Sequence, residues 1–222
     1  MLVSRESMPA YVAPFCVYVG SMVLERVFRM DGAWPYALRC GFTIAALAVF
    51  SRRTISFTLR KPFLSAAVGL AVFLVWVAPD QLWHIRHHWL FENGLTGAAE
   101  SSVPIALRRN AAFLALRVAG SALLVPIVEE LFWRGWLMRW LIAARFETVP
   151  LGTYSRLAFW LTAAVFASEH GPYWEVGLVA GIAYNWWIVR TRSLGDCILA
   201  HAVTNLALGL FVIGFSQWQY WL

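Results

Sequence analysis

The sequence predicts an all-α protein, a polytopic transmembrane bundle of about seven to eight helices. Of its 222 residues, 60% are hydrophobic and 16% aromatic, whereas only 14% are charged, a balance far from that of soluble domains. The apolar residues form runs long enough to cross a bilayer, and the basic residues fall mostly in the short segments between them. We therefore expect one membrane-embedded domain over residues 1–222.

Run length, flanking charges and prolines place seven apolar helices along the chain. Their ranges are 9–28, 34–51, 63–79, 111–143, 156–170, 174–190 and 195–214, with Pro35, Pro62, Pro79 and Pro150 as breakers. The first run is interpreted as a retained helix, because Glu25 and Arg26 stand where a signal peptide would have its small-residue cleavage site.

The fourth helix decides between seven and eight crossings. At 1.5 Å per residue it would be roughly 50 Å long, so it must tilt, protrude or break near Pro126, and a break would give eight spans. The positive-inside rule favours seven, with the N-terminus and the most basic loop in the cytoplasm. That loop contains Arg52, Arg53, Arg60 and Lys61. Residues 80–107 would then form an external loop, with partial re-entry left open, in a protein of the bacterial cytoplasmic membrane.

Charge and cysteine content argue against several other classes of protein. The net charge is +6, but the basic residues are dispersed rather than gathered on one face, so no nucleic-acid partner is expected. The cysteines Cys16, Cys40 and Cys197 lie in apolar runs and are expected to be small core residues. A transporter is disfavoured, since the sequence shows no repeat and no paired broken helices.

Seven polar residues interrupt the apolar helices: Glu129, Glu130, Arg134, His170, Asn185, His201 and Asn205. Ionisable groups at membrane depth cost at least a few kcal/mol each, and they are usually paired, inward-facing and functional. Counted from the expected cytoplasmic helix ends, Glu129 lies roughly 15 Å deep, His170 roughly 20 Å, and His201 with Asn205 roughly 10 to 17 Å. This common depth predicts one site in the core of the bundle.

The spacing of these residues suggests their chemistry. Glu130 and Arg134 are i and i+4 and can form a salt bridge, whereas Glu129 points about 100° away, toward another helix. His201 and Asn205 are also i and i+4 and share a helix face. A carboxylate with a histidine can activate water, and a histidine with an amide can stabilise an oxyanion. These are the groups that a peptide-bond hydrolase requires.

Three segments resemble the motifs of a known family. Residues 129–134 (EELFWR), 166–170 (FASEH) and 201–205 (HAVTN) match, in order and spacing, the EExxxR, FxxxH and HxxxN/D motifs of the CPBP intramembrane proteases. That family includes the type II CAAX prenyl endopeptidases and the bacteriocin-processing (ABI) proteins. The resemblance covers about residues 110–210, within a motif-bearing half of about 110–214. The string VEELFWRGWLMRW is also similar to the CAAX-protease-related proteins of exosortase systems.

The resemblance implies a glutamate-dependent intramembrane protease with no metal and no cofactor. Glu129 and His170 would activate the attacking water, and His201 and Asn205 would stabilise the oxyanion. Glu130 and Arg134 would order the first motif and contribute to binding a substrate carboxylate. The partners would be the bilayer and a protein or peptide substrate, with lipidated and sorting-signal-bearing substrates both left open. The first 100 residues carry no motif, so substrate recognition is undetermined.

Two other functions stay open. One is a zinc hydrolase, with Glu129, His170 and His201 as ligands and Glu130 as the base. The other is a non-catalytic scaffold or immunity-type protein that keeps the motifs for packing. Glu130 with Arg134 could likewise be a structural ion pair, and Asn205 an interhelical hydrogen bond.

Three further features are weaker candidates for function. His84, His87 and His88 have the spacing of a metal-binding helix face, yet they flank tryptophans at an expected membrane boundary. Asn185 could line the site or hold two helices together. Glu169 is expected to point away from His170, at the membrane interface.

Overall fold

The computed structural model describes residues 7–222, and within them seven main helices form a bundle. We label them α1 (Met8–Val27), α2 (Trp34–Ala46, continued by a π-helical turn at Leu47–Ser51), α3 (Pro62–Trp83), α4 (Ala111–Trp140), α5 (Arg156–Ser168), α6 (Trp174–Thr191) and α7 (Leu194–Phe215). The described residues contain no β-strand, only an isolated bridge between Asn93 and Gly97. The predicted all-α bundle is confirmed; residues 1–6 of the predicted single domain lie outside the described part.

Four of these helices, α1, α3, α4 and α7, are long and apolar enough to cross a membrane. Helix α5 is equally apolar but has 13 residues. Each of the seven predicted runs corresponds to one helix. Within residues 7–222, four of these helices qualify as membrane spans by length and composition.

Helix α4 is continuous, so the possible break near Pro126 is not found. Proline lacks the backbone N–H and its ring crowds the carbonyl four residues earlier, here that of Ala122. A π-helical turn at Gly120–Leu124 widens the backbone at this point, and a second follows at Leu131–Leu137. Between them, Val125–Glu130 is α-helical and carries the two adjacent glutamates.

Three helix ends differ from the prediction by two or more residues, and the first is that of α4, which ends at Trp140 rather than at residue 143. Helix α3 continues through Pro79 to Trp83 and ends at His84, which has a left-handed backbone conformation. Helix α5 ends at Ser168, two residues before His170, because Gly171 adopts a positive φ of +54° and starts a 3₁₀ turn at Gly171–Tyr173. His170 therefore lies in a turn rather than on a helix.

The segment after α3 is held to this turn by a buried arginine. Arg86 donates through Nε to Asp80 at 3.0 Å and through Nη2 to Glu175 at 2.8 Å, and it also donates to the carbonyl of Pro172. Its guanidinium lies 4.0 Å from the ring centroid of Tyr173. The predicted external loop is thus fixed to the segment that follows His170.

Helices α3 and α7 approach each other closely at Gly69. A Cβ atom at this position would collide with the backbone carbonyl of Ala200, on α7. Small residues allow such approaches in membrane helix pairs. Of the cysteines, Cys40 and Cys197 are buried as expected, but Cys16 is exposed on α1, so the prediction that it lies in the core was wrong.

Replacing Gly69 by alanine should destabilise the bundle by about 1–3 kcal/mol, because the backbone of α7 must move to accept the added carbon. Thermal unfolding in detergent micelles measures this effect. Gly41→Ala is the matched control, since nothing lies within 4 Å of a Cβ at that helical position. Equal unfolding temperatures for the two variants would contradict the close approach.

Candidate active site

Glu130 is at the centre of the buried polar residues. Its side chain is 0% exposed, and its Oε1 accepts hydrogen bonds from Arg134 Nη1 at 3.0 Å and from His201 Nδ1 at 2.9 Å. Its Oε2 has no hydrogen-bond partner. Glu130 therefore connects the first motif on α4 with the third motif on α7, in addition to the predicted ion pair with Arg134.

Each of the three nitrogens of Arg134 donates to a protein partner. Besides Glu130, it donates through Nε to Asn185 Oδ1 at 2.9 Å and through Nη2 to the carbonyl of Gly181 at 3.3 Å. Its guanidinium carbon lies 4.7 Å from the ring centroid of Phe166. Because the side chain is 0% exposed, a substrate carboxylate could reach Arg134 only if the surrounding side chains moved.

Asn185 holds three elements together. Its Oδ1 accepts from Arg134 on α4, and its Nδ2 donates to the carbonyl of Phe159 on α5 at 2.8 Å. It is fully buried on α6. Of the two interpretations left open, interhelical hydrogen bonding is therefore the one that its contacts support.

His201 lies between the two glutamates. Because its Nδ1 donates to Glu130, its Nε2 is the nitrogen that faces Glu129, at 3.9 Å from Oε2. That distance is too long for a direct hydrogen bond. Glu129 Oε2 is buried without a hydrogen-bond partner, although the side chain as a whole is 13% exposed. Glu129 thus has an unused carboxylate oxygen beside an imidazole.

His170 has one ring nitrogen occupied. Its Nδ1 donates to the carbonyl of Phe166 at 2.8 Å, which leaves Nε2 as the acceptor in the neutral imidazole. The ring packs edge-on against Trp76 at 5.2 Å between centroids and against Phe166 at 4.7 Å. A Cβ at Gly177 would lie 3.0 Å from Nδ1, so this glycine on α6 provides room for the ring.

Asn205 contacts a different part of α4. Its Nδ2 donates to the carbonyl of Ser121 at 2.9 Å, in the first π-helical turn. Both histidines lie near the ring of Phe166, whose centroid is 4.7 Å from the ring centroid of His170 and 6.3 Å from that of His201. The imidazole that lies beside Glu129 is that of His201, and the pairing of Glu129 with His170 stays a prediction.

Three residues that the sequence analysis did not single out support the histidines. Tyr184 stacks on His201 with ring centroids 5.0 Å apart, and its hydroxyl donates to Thr204 Oγ1 at 2.8 Å. Trp76, from α3, contacts His170. Two of these residues could have been found from the sequence. Thr204 lies within the third motif, and Tyr184, beside Asn185 in an apolar helix, needs a hydrogen-bond partner.

The other polar candidates are Glu169 and the histidines of the loop after α3, and Glu169 is close enough to Glu129 to act on it electrostatically. Glu169 is exposed at the end of α5. His87 Nδ1 contacts Glu92 at 3.0 Å, and His88 Nδ1 accepts from the backbone N–H of Leu90 at 3.2 Å. Within residues 7–222 no three His, Cys, Asp or Glu side chains are arranged to hold a metal ion, neither among these histidines nor in the set Glu129, His170 and His201.

Comparison with known families supports the resemblance. Residues 111–207, just under half of the chain, match the family described as type II CAAX prenyl endopeptidase Rce1-like. This segment belongs to the CAAX-protease (CPBP) family. The match begins at the start of α4, ends within α7 and includes all three motifs. No curated protein and no solved structure matched the chain at the significance threshold used.

Family and fold together define the class of the protein. The matched family is described as one of type II CAAX prenyl endopeptidases, and the described residues contain four helices long and apolar enough to cross a membrane. The protein is therefore a helical membrane protein with a segment similar to a protease family. The match does not extend to the exosortase-associated subgroup, which stays a prediction, and it leaves α1, α2 and α3 outside the recognised segment.

Proposed function

We propose that the protein hydrolyses a peptide bond within the membrane, with Glu129 and His170 activating water and His201 and Asn205 stabilising the oxyanion. The observation that carries this proposal is the unused, buried oxygen of Glu129 beside the imidazole of His201, 3.9 Å away. A carboxylate without a protein partner in an apolar bundle is costly. Binding a water molecule would compensate this cost and would place the nucleophile.

The hydrogen bonds of the two histidines support different roles for them. His170 donates to a backbone carbonyl, so its free Nε2 can accept a proton from water. His201 donates through Nδ1 to Glu130 and its Nε2 faces Glu129, so in the imidazolium form Nε2 can donate to a developing oxyanion.

The proposed reaction balances without a covalent intermediate. The oxygen of water attacks the scissile carbonyl carbon while Glu129 with His170 accepts a proton. The tetrahedral oxyanion is stabilised by donors from His201 and Asn205. Collapse breaks the carbon–nitrogen bond, and the leaving amine takes the proton, which yields one new carboxylate and one new amine.

The purified protein in lipid nanodiscs should cleave an S-farnesylated peptide ending in Cys-Ala-Ala-Leu. The His170→Ala variant should lower the cleavage rate about 100-fold or more, because a general base contributes about that much. Mass spectrometry in ¹⁸O-labelled water should find one heavy oxygen in the new carboxylate. His88→Ala, a histidine in the exposed loop, is the matched control and should keep full activity.

The alternatives give different results in the same assay. A zinc hydrolase would lose activity with a chelator and regain it with Zn²⁺. A scaffold would show no cleavage, or the same residual signal with and without His170. Either result would overturn the proposed mechanism.

A further inference from the structure

A second cluster of charged and aromatic residues lies outside the three motifs, between α1, α2 and the first half of α4. We call it the arginine cluster, and it consists of Tyr18, Tyr36, Arg39 and Arg117. The ring of Tyr36 lies between the two guanidinium groups, whose central carbons are 5.0 Å (Arg39) and 4.8 Å (Arg117) from its centroid. Arg39 also lies 5.2 Å from the ring centroid of Tyr18.

The arginine cluster has more positive charge than its protein partners neutralise. Arg39 forms a salt bridge with Glu25 at 3.0 Å. Among residues 7–222, Arg117 has no ion pair, although it stacks on Tyr36 and lies 5.7 Å from the ring centroid of Trp221. Two guanidinium groups therefore face one carboxylate. In an apolar bundle, an unpaired cation of this kind requires an anion.

The arginine cluster also has unused hydrogen-bond donors. The Nε atoms of Arg39 and Arg117 are both buried without a hydrogen-bond partner. A buried donor without an acceptor costs about 1–3 kcal/mol. The planar fork of an arginine matches the two oxygens of a carboxylate, so excess charge and free donors indicate the same kind of ligand.

Helix α1 connects the arginine cluster with the proposed active site. It runs antiparallel to α4, since Tyr11 faces Gly135 and Phe15 stacks on Phe132 with centroids 4.1 Å apart. Tyr18 follows one turn later on α1, and its ring centroid lies 5.2 Å from the guanidinium carbon of Arg39. Helix α1 thus packs along the part of α4 next to Glu129 and reaches the arginine cluster through Tyr18.

Distances along α4 fit a peptide that spans both sites. Arg117 lies four residues before Ser121, whose carbonyl binds Asn205, and twelve residues before Glu129. At 1.5 Å per residue these separations are roughly 6 Å and 18 Å. An extended peptide covers about 3.3 Å per residue, so they correspond to about two to five residues.

We propose that the arginine cluster binds the C-terminal carboxylate of the peptide substrate. This inference rests on the proposed protease function. It gives the first half of the chain a role in recognition: helices α1 and α2 contribute to a carboxylate site that sets how many residues lie between the C-terminus and the bond placed at Glu129.

The test compares binding of two forms of one peptide to the full-length chain. An S-farnesylated, fluorescently labelled peptide ending in Cys-Ala-Ala-Leu is used as the free acid and as the C-terminal carboxamide, in nanodiscs and in a Glu129→Gln background that prevents turnover. We expect the free acid to bind about tenfold or more tightly than the amide, as hydrogen bonds to charged groups would provide. Arg117→Gln should remove this preference, and Arg117→Lys should retain part of it.

Arg190→Gln is the matched control, an exposed arginine on α6 that contacts Trp186, and it should keep the preference. Unfolding temperatures of all variants show whether they are folded. Equal affinity for the acid and the amide, including no detectable binding of either, would overturn the inference. A second result would also overturn it: if the affinity lost in Arg117→Gln depends on the anionic-lipid content of the nanodiscs and not on whether the peptide ends in an acid or an amide, the arginine cluster binds lipid headgroups.

Failure of this inference is distinguishable from failure of the proposed function. If the chain with Glu129 intact cleaves the free acid and the amide equally well, the protease function stands and the carboxylate site does not. If the free acid binds more tightly but the chain with Glu129 intact does not cleave it, the carboxylate site stands and the proposed protease function does not.

Discussion

Replacing Glu129 by glutamine is expected to lower peptide-bond cleavage about a thousand-fold or more, within the range that loss of an acid–base group produces. The unfolding free energy should stay the same or rise by up to about 1 kcal/mol. Its Oε2 is buried and makes no protein hydrogen bond, and its nearest ionisable partner is His201 at 3.9 Å, so the cost of desolvating this charge outweighs what the native fold gains from it. A neutral amide removes that cost. Substitutions at catalytic residues often raise stability in this way, because the native residue is kept for activity.

Activity and unfolding temperature must be measured on the same preparation. Glu147→Gln removes an exposed carboxylate beyond the end of α4 and should leave both quantities unchanged. A folded Glu129→Gln protein with full activity would eliminate the role proposed for this residue. A strongly destabilised one would show instead that Glu129 is part of the structural ion-pair network.

The helices were predictable because the bilayer limits the choices. Apolar runs of sufficient length must form helices to satisfy their backbone groups, and all seven runs do so. Local backbone departures were not predictable. Pro79 and Pro126 are strong breakers in soluble helices, yet both lie inside helices here. At Pro126 a π-helical turn accommodates the ring, and hydropathy does not report such turns.

One contact of the site was predictable from the sequence, but the contacts between helices were not. Spacing within one helix correctly gave the ion pair of Glu130 with Arg134. It could not give the contact between Glu130 and His201, because that depends on how α4 and α7 are rotated against each other. The position of His201 between Glu129 and Glu130 likewise depends on how α4 packs against α7.

The arginine cluster illustrates a further limit of sequence reasoning. Arg39 and Arg117 are distant in sequence, belong to no motif and look like ordinary flanking charges. Their significance depends on the ring of Tyr36 between them and on the single carboxylate of Glu25 nearby. Such a charge imbalance becomes visible only when three helices are assembled.

Removing Arg134 should have the largest effect on stability. Arg134→Met leaves the carboxylate of Glu130 fully buried without its cation, which typically costs about 3–5 kcal/mol. It also leaves the Oδ1 of Asn185 without its donor. Urea unfolding in mixed micelles should show this loss, and Arg190→Met, at an exposed position on α6, should change the unfolding free energy by less than about 0.5 kcal/mol.

The double variant separates structural from catalytic roles. Glu130→Gln combined with Arg134→Met removes both charges, so it should recover part of the stability lost in Arg134→Met, and the difference gives the coupling energy of the pair. Activity should not return, because His201 Nδ1 then no longer donates to a carboxylate that orients its ring. A double variant that is both stable and active would show that Glu130 and Arg134 serve packing alone, and that His201 needs no charged partner to stabilise the oxyanion.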